Sequence, residues 1–355
     1  MSGGPSEIRF TLAPQRRFQA FDVSGTVANE HGDVLKRHRR ALYCSLHTTA
    51  GYLDPGLAAR LENHPDHLAR FFDSFRRLFP ENGGYRHDRL EERAELSEAQ
   101  RKVEPKNGDS HLTFIGSGMR NCVTYRNQPP SPVYFIDLDG THNGCCRERK
   151  TVVLAYDEEE VVARKTLDVP VSRHPIDSVN LGDPRLGVID LADELLAQAG
   201  LEKGRVDIVL DREERGTSLT VNEYETLLMQ HDLVEVLRNP FKFAALGSKH
   251  ILDDPLALPS KTINYAKYDA VLLLNSLMEA LRLQQSVVER LVAKLMAVPA
   301  RRFLRFRRIS FLASDEKETG RAALVRGTYQ SPILVQWQPA ESQTRRIEIS
   351  VVRLA

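Results

Sequence analysis

The sequence predicts an α+β protein made of two tandem units, each a mostly antiparallel sheet packed with helices. Three observations carry this. The chain has 355 residues, a length that suits two domains better than one. Short runs rich in β-branched and aromatic residues alternate with segments whose apolar residues recur every three or four positions. Both halves run in one order (strands, helix, strand, helix, closing strands), as a duplicated unit would. The boundary is expected in the charged stretch after residue 156, giving domains 1–160 and 161–355.

In the first half, residues 7–27 read as short strands anchored by Phe10, Leu12, Phe18 and Phe21, and 29–33 as a turn. Residues 41–46 read as a buried strand that ends on His47 and runs into Thr48, Thr49, Ala50 and Gly51. A strand that carries a histidine to a small-residue turn is a common way to build a site. Residues 54–79 are helical by period, with Leu57, Leu61, Leu68, Phe72, Phe75 and Leu78 on one face, and the Pro80–Gly84 stretch stops the helix. Residues 112–115 read as a strand entering the turn Gly116-Ser117-Gly118; 133–138 and 151–156 read as further strands. In the second half a helix is expected over 186–201 and a strand over 206–210, with a second helix to about Leu237. A long amphipathic helix follows over 268–298, and the closing strands lie at 309–313, 322–330, 333–337 and 346–354.

Composition narrows the partners. Apolar residues make up 41% and charged residues 27%, and the formal net charge is +1. That balance removes an overall electrostatic drive toward nucleic acid or anionic lipid, so neither is expected as a partner. The basic run Arg301, Arg302, Arg305, Arg307, Arg308 reads as a solvated junction. No stretch approaches the roughly eighteen apolar residues of a span, and the N-terminus lacks a signal-peptide pattern. The four cysteines include the adjacent pair Cys145-Cys146, which is no Cys-x-x-Cys motif; ordinary thiols in a reducing cytoplasm are expected.

The chemistry-bearing motifs are His47-Thr48-Thr49-Ala50-Gly51, Tyr85-Arg86-His87-Asp88, Asn107-Gly108-Asp109-Ser110-His111 and Tyr134-Phe135-Ile136-Asp137-Leu138-Asp139-Gly140, with Arg147 and Arg149 beyond. Three imidazoles from separate elements are raw material for a divalent metal site, zinc first, whose bound water becomes a nucleophile. The same residues suit metal-free acid–base work, with Asp88 or Asp109 orienting a ring. Gly116-Ser117-Gly118 offers backbone N–H groups to a phosphate or forms a plain tight turn. Arg147 and Arg149 either grip phosphate or alternate on a solvated strand. His64 and His67 read as exposed helix residues, His142 as a loop residue, and His174, His231 and His250 as structural.

Order and spacing of these motifs resemble the YjbQ-like family across about residues 8–156. There a strand ends in His-Thr-Ser/Thr-Ala/Cys-Ser/Gly, and an Asn-Glu pair, Tyr-x-His, Asn-x-x-x-His, Gly-Thr-Trp-Gln and Glu-x-Asp-Gly-x-Arg follow. The second half is similar in other places: Thr217–Glu223 (with Asn222-Glu223), Gly327-Thr328-Tyr329-Gln330, and Arg345-Arg346 before the last strand. The resemblance implies a tandem of two YjbQ-like copies and a shared site of His47, His87, His111 and Asp137. Thr48, Thr49, Asp88, Asn107, Gly116, Arg147 and Arg149 would face a small phosphorylated metabolite. It also implies a weak thiamine-phosphate-synthase-type activity and homo-oligomers. A metal-dependent hydrolase and a non-catalytic binding or assembly protein stand as alternatives. Departures are specific. Tyr52-Leu53-Asp54 replaces the first half's Asn-Glu, and Asp137 stands where the family has Glu. In the second half Glu214 falls at the first histidine position and Gln336 at the glutamate position. Glu223 beside a missing histidine raises a composite site in which it meets His47.

Overall fold

Two similar strand-pairing schemes organise the chain, the second with one more strand in its large sheet. The structure, a computed structural model, describes residues 4–142, 144–238, 242–243, 304, 306–315 and 320–355. The first half runs β1 (Ser6–Leu12), β2 (Gln19–Asp22), α1 (Val23–His31), α2 (Val34–Arg37), β3 (Arg40–Ser45) and β4 (Ala50–Gly51). Helices α3 (Pro55–Arg60), α4 (Pro65–Leu78), α5 (Glu98–Val103) and α6 (Gly108–Ser117) follow. It closes with β5 (Cys122–Arg126), β6 (Tyr134–Asp137), β7 (Thr141–His142), β8 (Cys145–Cys146) and β9 (Arg149–Tyr156). The second half runs β10 (Glu159–Pro170), β11 (Asp177–Asn180), α7 (Val188–Ala199), β12 (Lys203–Leu210) and β13 (Thr217–Asn222). It ends with α8 (Leu233–Arg238), β14 (Arg308–Ser314), β15 (Ala323–Val325), β16 (Ser331–Gln336) and β17 (Thr344–Leu354).

The pairing is antiparallel throughout. In one large sheet the order is β1-β9-β3-β5; in the other it is β10-β17-β12-β14-β15. Each has its last long strand between its first strand and the strand that leads to a site turn. Each half adds a small sheet of the same design, β2-β6-β4 and β11-β16-β13. The registers correspond as well. Asp137 lies opposite Gln19 and Ala50, and Gln336 lies opposite Asp177 and Thr217. The expected antiparallel α+β architecture is therefore present, and the pairing scheme begins again at β10.

Contacts divide the chain into two compact units that each draw on both halves: Met1–Pro55, Gly118–Tyr224 and Leu304–Ala355 form unit 1; Gly56–Ser117 and Glu225–Phe303 form unit 2. In unit 1 the two large sheets share a buried layer. Leu42, Cys44, Cys122, Val152, Leu154 and Tyr156 meet Leu312, Val325, Val352 and Leu354. On the second sheet's other face, α7 buries Val188, Leu191, Ala192, Leu195 and Leu196 against Val206, Ile208, Ile349 and Val351. In unit 2, α4 presents Leu68, Phe71, Phe72, Phe75 and Leu78 as a buried stripe at i, i+3, i+4 spacing.

Several expectations are corrected. Residues 23–27 are helical, not extended: Asp22 caps α1 by accepting from the Gly25 N–H, and Ser24 and Thr26 also bond to Asp22. The 54–79 helix is two helices, because Glu62 and Asn63 take positive φ (55° and 47°) between α3 and α4. His64 caps α4, while His67 is buried with Nδ1 3.2 Å from the Leu61 carbonyl, so His67 is not an exposed helix residue. Residues 112–115 belong to α6, whose ten residues are all buried. A helix buried on every side shows no amphipathic stripe, and its Thr, Phe and Ile resemble a strand. The 268–298 helix, His250, Arg301, Arg302 and Arg305 lie outside the described residues. Among the described residues no helix is long and apolar enough to cross a membrane.

Candidate functional site

In unit 1, β3 delivers His47 to the turn that leads into β4. The Ser45 hydroxyl accepts the His47 N–H (3.2 Å) and donates to the Ala50 carbonyl (2.6 Å), which closes the turn. From the second half, Gln330 Nε2 donates to the Ser45 and His47 carbonyls, both at 2.9 Å, and Asn222 Nδ2 donates to the Thr48 carbonyl at 3.1 Å. Gly327 sits so close to the Leu46 carbonyl that a Cβ there would lie 1.9 Å from the oxygen. The Gly-Thr-Tyr-Gln segment and Asn222 therefore brace the histidine turn, so the family-like pieces of the second half act on the first half. His47 Nε2 accepts the Lys150 N–H at 2.7 Å.

That hydrogen bond leaves the His47 proton on Nδ1. Burial, then the charges of Arg149, Arg147 and Lys150, push the imidazole down to about 3, so the ring is neutral at ordinary pH. Asp137, fully buried at the end of β6, receives Arg149 Nε at 2.7 Å and Nη2 at 2.9 Å. Burial raises the Asp137 carboxyl against the opposing pull of Arg149. Arg149 also donates to the Asp139 carbonyl, and Arg147 pairs with the Asp139 carboxylate. Neither of the two readings given to Arg149 describes it: it is a buried fork closed on a carboxylate, not a solvated strand residue or an open phosphate clamp. Thr49 is buried and its carbonyl accepts from Leu138.

The second half holds the same arrangement with its charges exchanged. Glu214 lies three residues before Thr217, as His47 lies three before Ala50, and Glu214 Oε1 accepts the Arg346 N–H at 2.7 Å. Arg345, the counterpart of Arg149, donates Nη1 to Glu214 Oε2 at 2.8 Å and Nη2 to the Gln338 carbonyl. Gln336 occupies the Asp137 position. Among the described residues, its Oε1 and Arg345 Nε have no hydrogen-bond partner, at the very place where Arg149 Nε meets Asp137 Oδ2.

Unit 2 gathers His87, Asp88, Asn107, Asp109 and His111. His87 is fully buried, with Nδ1 3.1 Å from Glu225 Oε2 and Nε2 3.1 Å from Asn107 Oδ1. Its own N–H donates to Asp232 at 2.9 Å, and the Arg86 N–H donates to the other oxygen of that carboxylate at 3.0 Å. The His111 ring meets the His87 ring edge to face, centroids 5.0 Å apart. Asp88 accepts the Gly108 N–H at 2.9 Å, and Gly108 itself is pressed on the Tyr85 ring, which holds the start of α6 against the Tyr-x-His segment. Burial works to raise the Glu225 carboxyl. Hydrogen bonds from His87, Leu227 and Leu228 outweigh it and hold the group below its usual value. Asp232 goes the other way, raised chiefly by burial.

With a carboxylate at one ring nitrogen and an amide oxygen at the other, His87 sits between two acceptors, a frame that suits an imidazolium. Turning the Asn107 amide would instead hold the neutral ring with Nδ1–H on Glu225. Either way Glu225 sets the ring's orientation. Sequence reading missed Glu225 and Asp232, and picked Glu223 two residues away; the signal was the repeated acid in Asn222-Glu223-Tyr224-Glu225. Asp88 and Asp109, offered as orienting groups, are not what holds Nδ1. Gly116-Ser117-Gly118 is no phosphate turn: Gly116 and Ser117 end α6 and Gly118 takes φ +78°. A helix C-terminus presents carbonyls and the negative dipole end, which repel an anion. As placed, the Nε2 lone pair of His47 is occupied and both nitrogens of His87 face acceptors. Among the described residues no three His, Cys, Asp or Glu side chains form a group that could hold a metal ion.

No protein-family description matches the chain, and no curated protein matches it. Solved structures do. The chain is similar to YjbQ-like proteins. A YbjQ-like protein of unknown function from Sulfolobus solfataricus shares 18% identity over 55% of this chain and 99% of its own, with a TM-score of 0.28. A hypothetical protein from Aeropyrum pernix shares 14% over 53% and 97%, TM-score 0.27. An uncharacterised YjbQ-family protein from Clostridium acetobutylicum shares 11% over 55% and 100%, TM-score 0.25.

Proposed function

We propose that the chain is a tandem of two YjbQ-like copies that performs acid–base chemistry on a small phosphorylated metabolite, with His87 as the working group and Glu225 orienting it. One observation carries this: a fully buried imidazole fixed at Nδ1 by a carboxylate that its surroundings keep ionised. A histidine held this way needs only a small shift to donate or accept a proton near neutral pH. The first reaction to assay is a thiamine-phosphate-synthase-type transfer. In it a C–N bond forms to the thiazole phosphate while the C–O bond to the diphosphate of the activated pyrimidine breaks. An imidazolium would stabilise the departing pyrophosphate.

The test compares wild type with His87→Gln and Glu225→Gln, folding being followed by circular dichroism. Loss of the acid or base is expected to lower the rate by roughly 10²–10⁴-fold. Folded variants that keep the wild-type rate would refute the assignment. The reading of a non-catalytic assembly protein draws on unit 1, where Asp137, Arg149 and His47 all satisfy one another or the backbone; it would be favoured by homo-oligomers and no turnover. A metal-dependent hydrolase would show as stoichiometric zinc in the purified protein, lost in His47→Ala, His87→Ala or His111→Ala.

A further inference from the structure

We propose that Arg120 and Arg308 form a binding site for a phosphate group, independent of the acid–base reading above. The two arginines line a small, open cleft together with Asn121, Thr220, Phe306 and Ser310. Arg120 lies at the entry to β5 and its backbone is pinned by two hydrogen bonds with Tyr52. Its guanidinium stacks on Phe306, 3.9 Å from the ring centroid. Among the described residues its Nε is buried without an acceptor, and the carboxylates whose charge reaches the group are Asp54 and Asp207. Arg308 opens β14, half exposed, and reaches only 3.8 Å from Asp207, whose carboxylate already serves Arg205 and Ser310. Asn121 Nδ2 donates to the Ser310 carbonyl at 3.0 Å and ties the two walls together.

A buried N–H donor with no acceptor is costly, and two like charges on one cleft repel. The repulsion is registered on Arg120, whose guanidinium is held below its usual value chiefly by burial, with Arg308 adding to the effect and Asp54 opposing it. An oxyanion between the two forks relieves both costs and gives Arg120 Nε an acceptor. Planar forked donors match phosphate geometry, and an aromatic face beneath one of them holds it ready. The ligand class is therefore a phosphate monoester or free phosphate. This gives Arg308, the last residue of the basic run, a specific role in place of a solvated junction.

The experiment titrates inorganic phosphate into the full-length protein by calorimetry, with chloride matching ionic strength. Wild type, Arg308→Gln, Arg120→Gln and His87→Gln are compared. The expected result is phosphate-specific binding weakened at least tenfold in Arg308→Gln and in Arg120→Gln. Arg308→Gln decides the matter, because its half-exposed side chain leaves the fold intact. Equal binding by Arg308→Gln and wild type would overturn the proposal, as would absence of any phosphate-specific binding by wild type. Loss of binding only in His87→Gln would overturn it too and would place phosphate at the acid–base site.

Discussion

The arginine pockets of the two halves share one backbone design and differ in where the carboxylate stands. In the first half Asp137, at the end of β6, closes on Arg149, and the position after β3 holds a neutral His47. In the second half the β6-equivalent residue is the uncharged Gln336, and the carboxylate has moved to Glu214, at the His47 position. Each half keeps one buried arginine with one anion. Each also keeps an acceptor on the N–H after that arginine, His47 on Lys150 and Glu214 on Arg346. Two departures that look like independent decay in the sequence are thus one compensated exchange. The lesson is that a charge balance can persist while the residues that supply it trade places. The half with the neutral imidazole keeps a group able to titrate, and the other becomes a closed strut.

The largest effect is expected from Asp137→Asn. It strands Arg149 in a buried site, which costs about 3–5 kcal/mol, to be read by urea unfolding. A loss below about 1 kcal/mol would mean that the pair contributes no more than an exposed one. Glu214→Gln is expected to cost less, about 1.5–3 kcal/mol, because the Gln338 and Arg215 carbonyls still hold Arg345. The pH dependence separates the halves in another way. His47 is lowered to about 3 from 6.5, so the unfolded chain takes up its proton first. Stability from this group is complete above pH 6.5 and falls as pH drops from 6.5 toward 3. His47→Gln should flatten that part of the curve; an unchanged curve would show that the ring titrates normally. Smallest is Arg346→Ala at the rim, whose pair with Asp168 is about half exposed on both sides and screened by solvent, so little loss is expected. A large loss there would move the weight of the comparison from the buried pocket to the surface.

Much of the sheet framework was legible because short apolar, β-branched runs bounded by turn residues mark buried strands by composition. The strands at 206–210, 309–313, 333–337 and 346–354 all appear, with ends shifted by a few residues. What escaped was set by burial rather than pattern. Helix α6 has no polar face, so its Thr-Phe-Ile run read as a strand. Asp22 started α1 by capping, a cue hidden among strand-like phenylalanines. Of the site, His47, His87, His111, Asn107, Asp137 and Arg149 were legible as motif residues, but Glu225 and Asp232, which hold the His87 segment, were not. Glu225 lies 138 residues from His87 in the chain and Glu214 131 from Arg345, and no local spacing reports such pairings. The Gly116-Ser117-Gly118 turn failed for the opposite reason: glycine and serine end helices as readily as they cradle anions.

The exchange itself is open to one direct measurement, a double-mutant cycle on unfolding free energy with Asp137→Gln and His47→Glu. Each single change alone spoils the pocket, one by removing the carboxylate and the other by adding a second. Together they rebuild the second half's arrangement in the first. The account predicts that the double variant is more stable than the sum of the single losses by about 1–3 kcal/mol. Strict additivity, or a double variant worse than the sum, would contradict it.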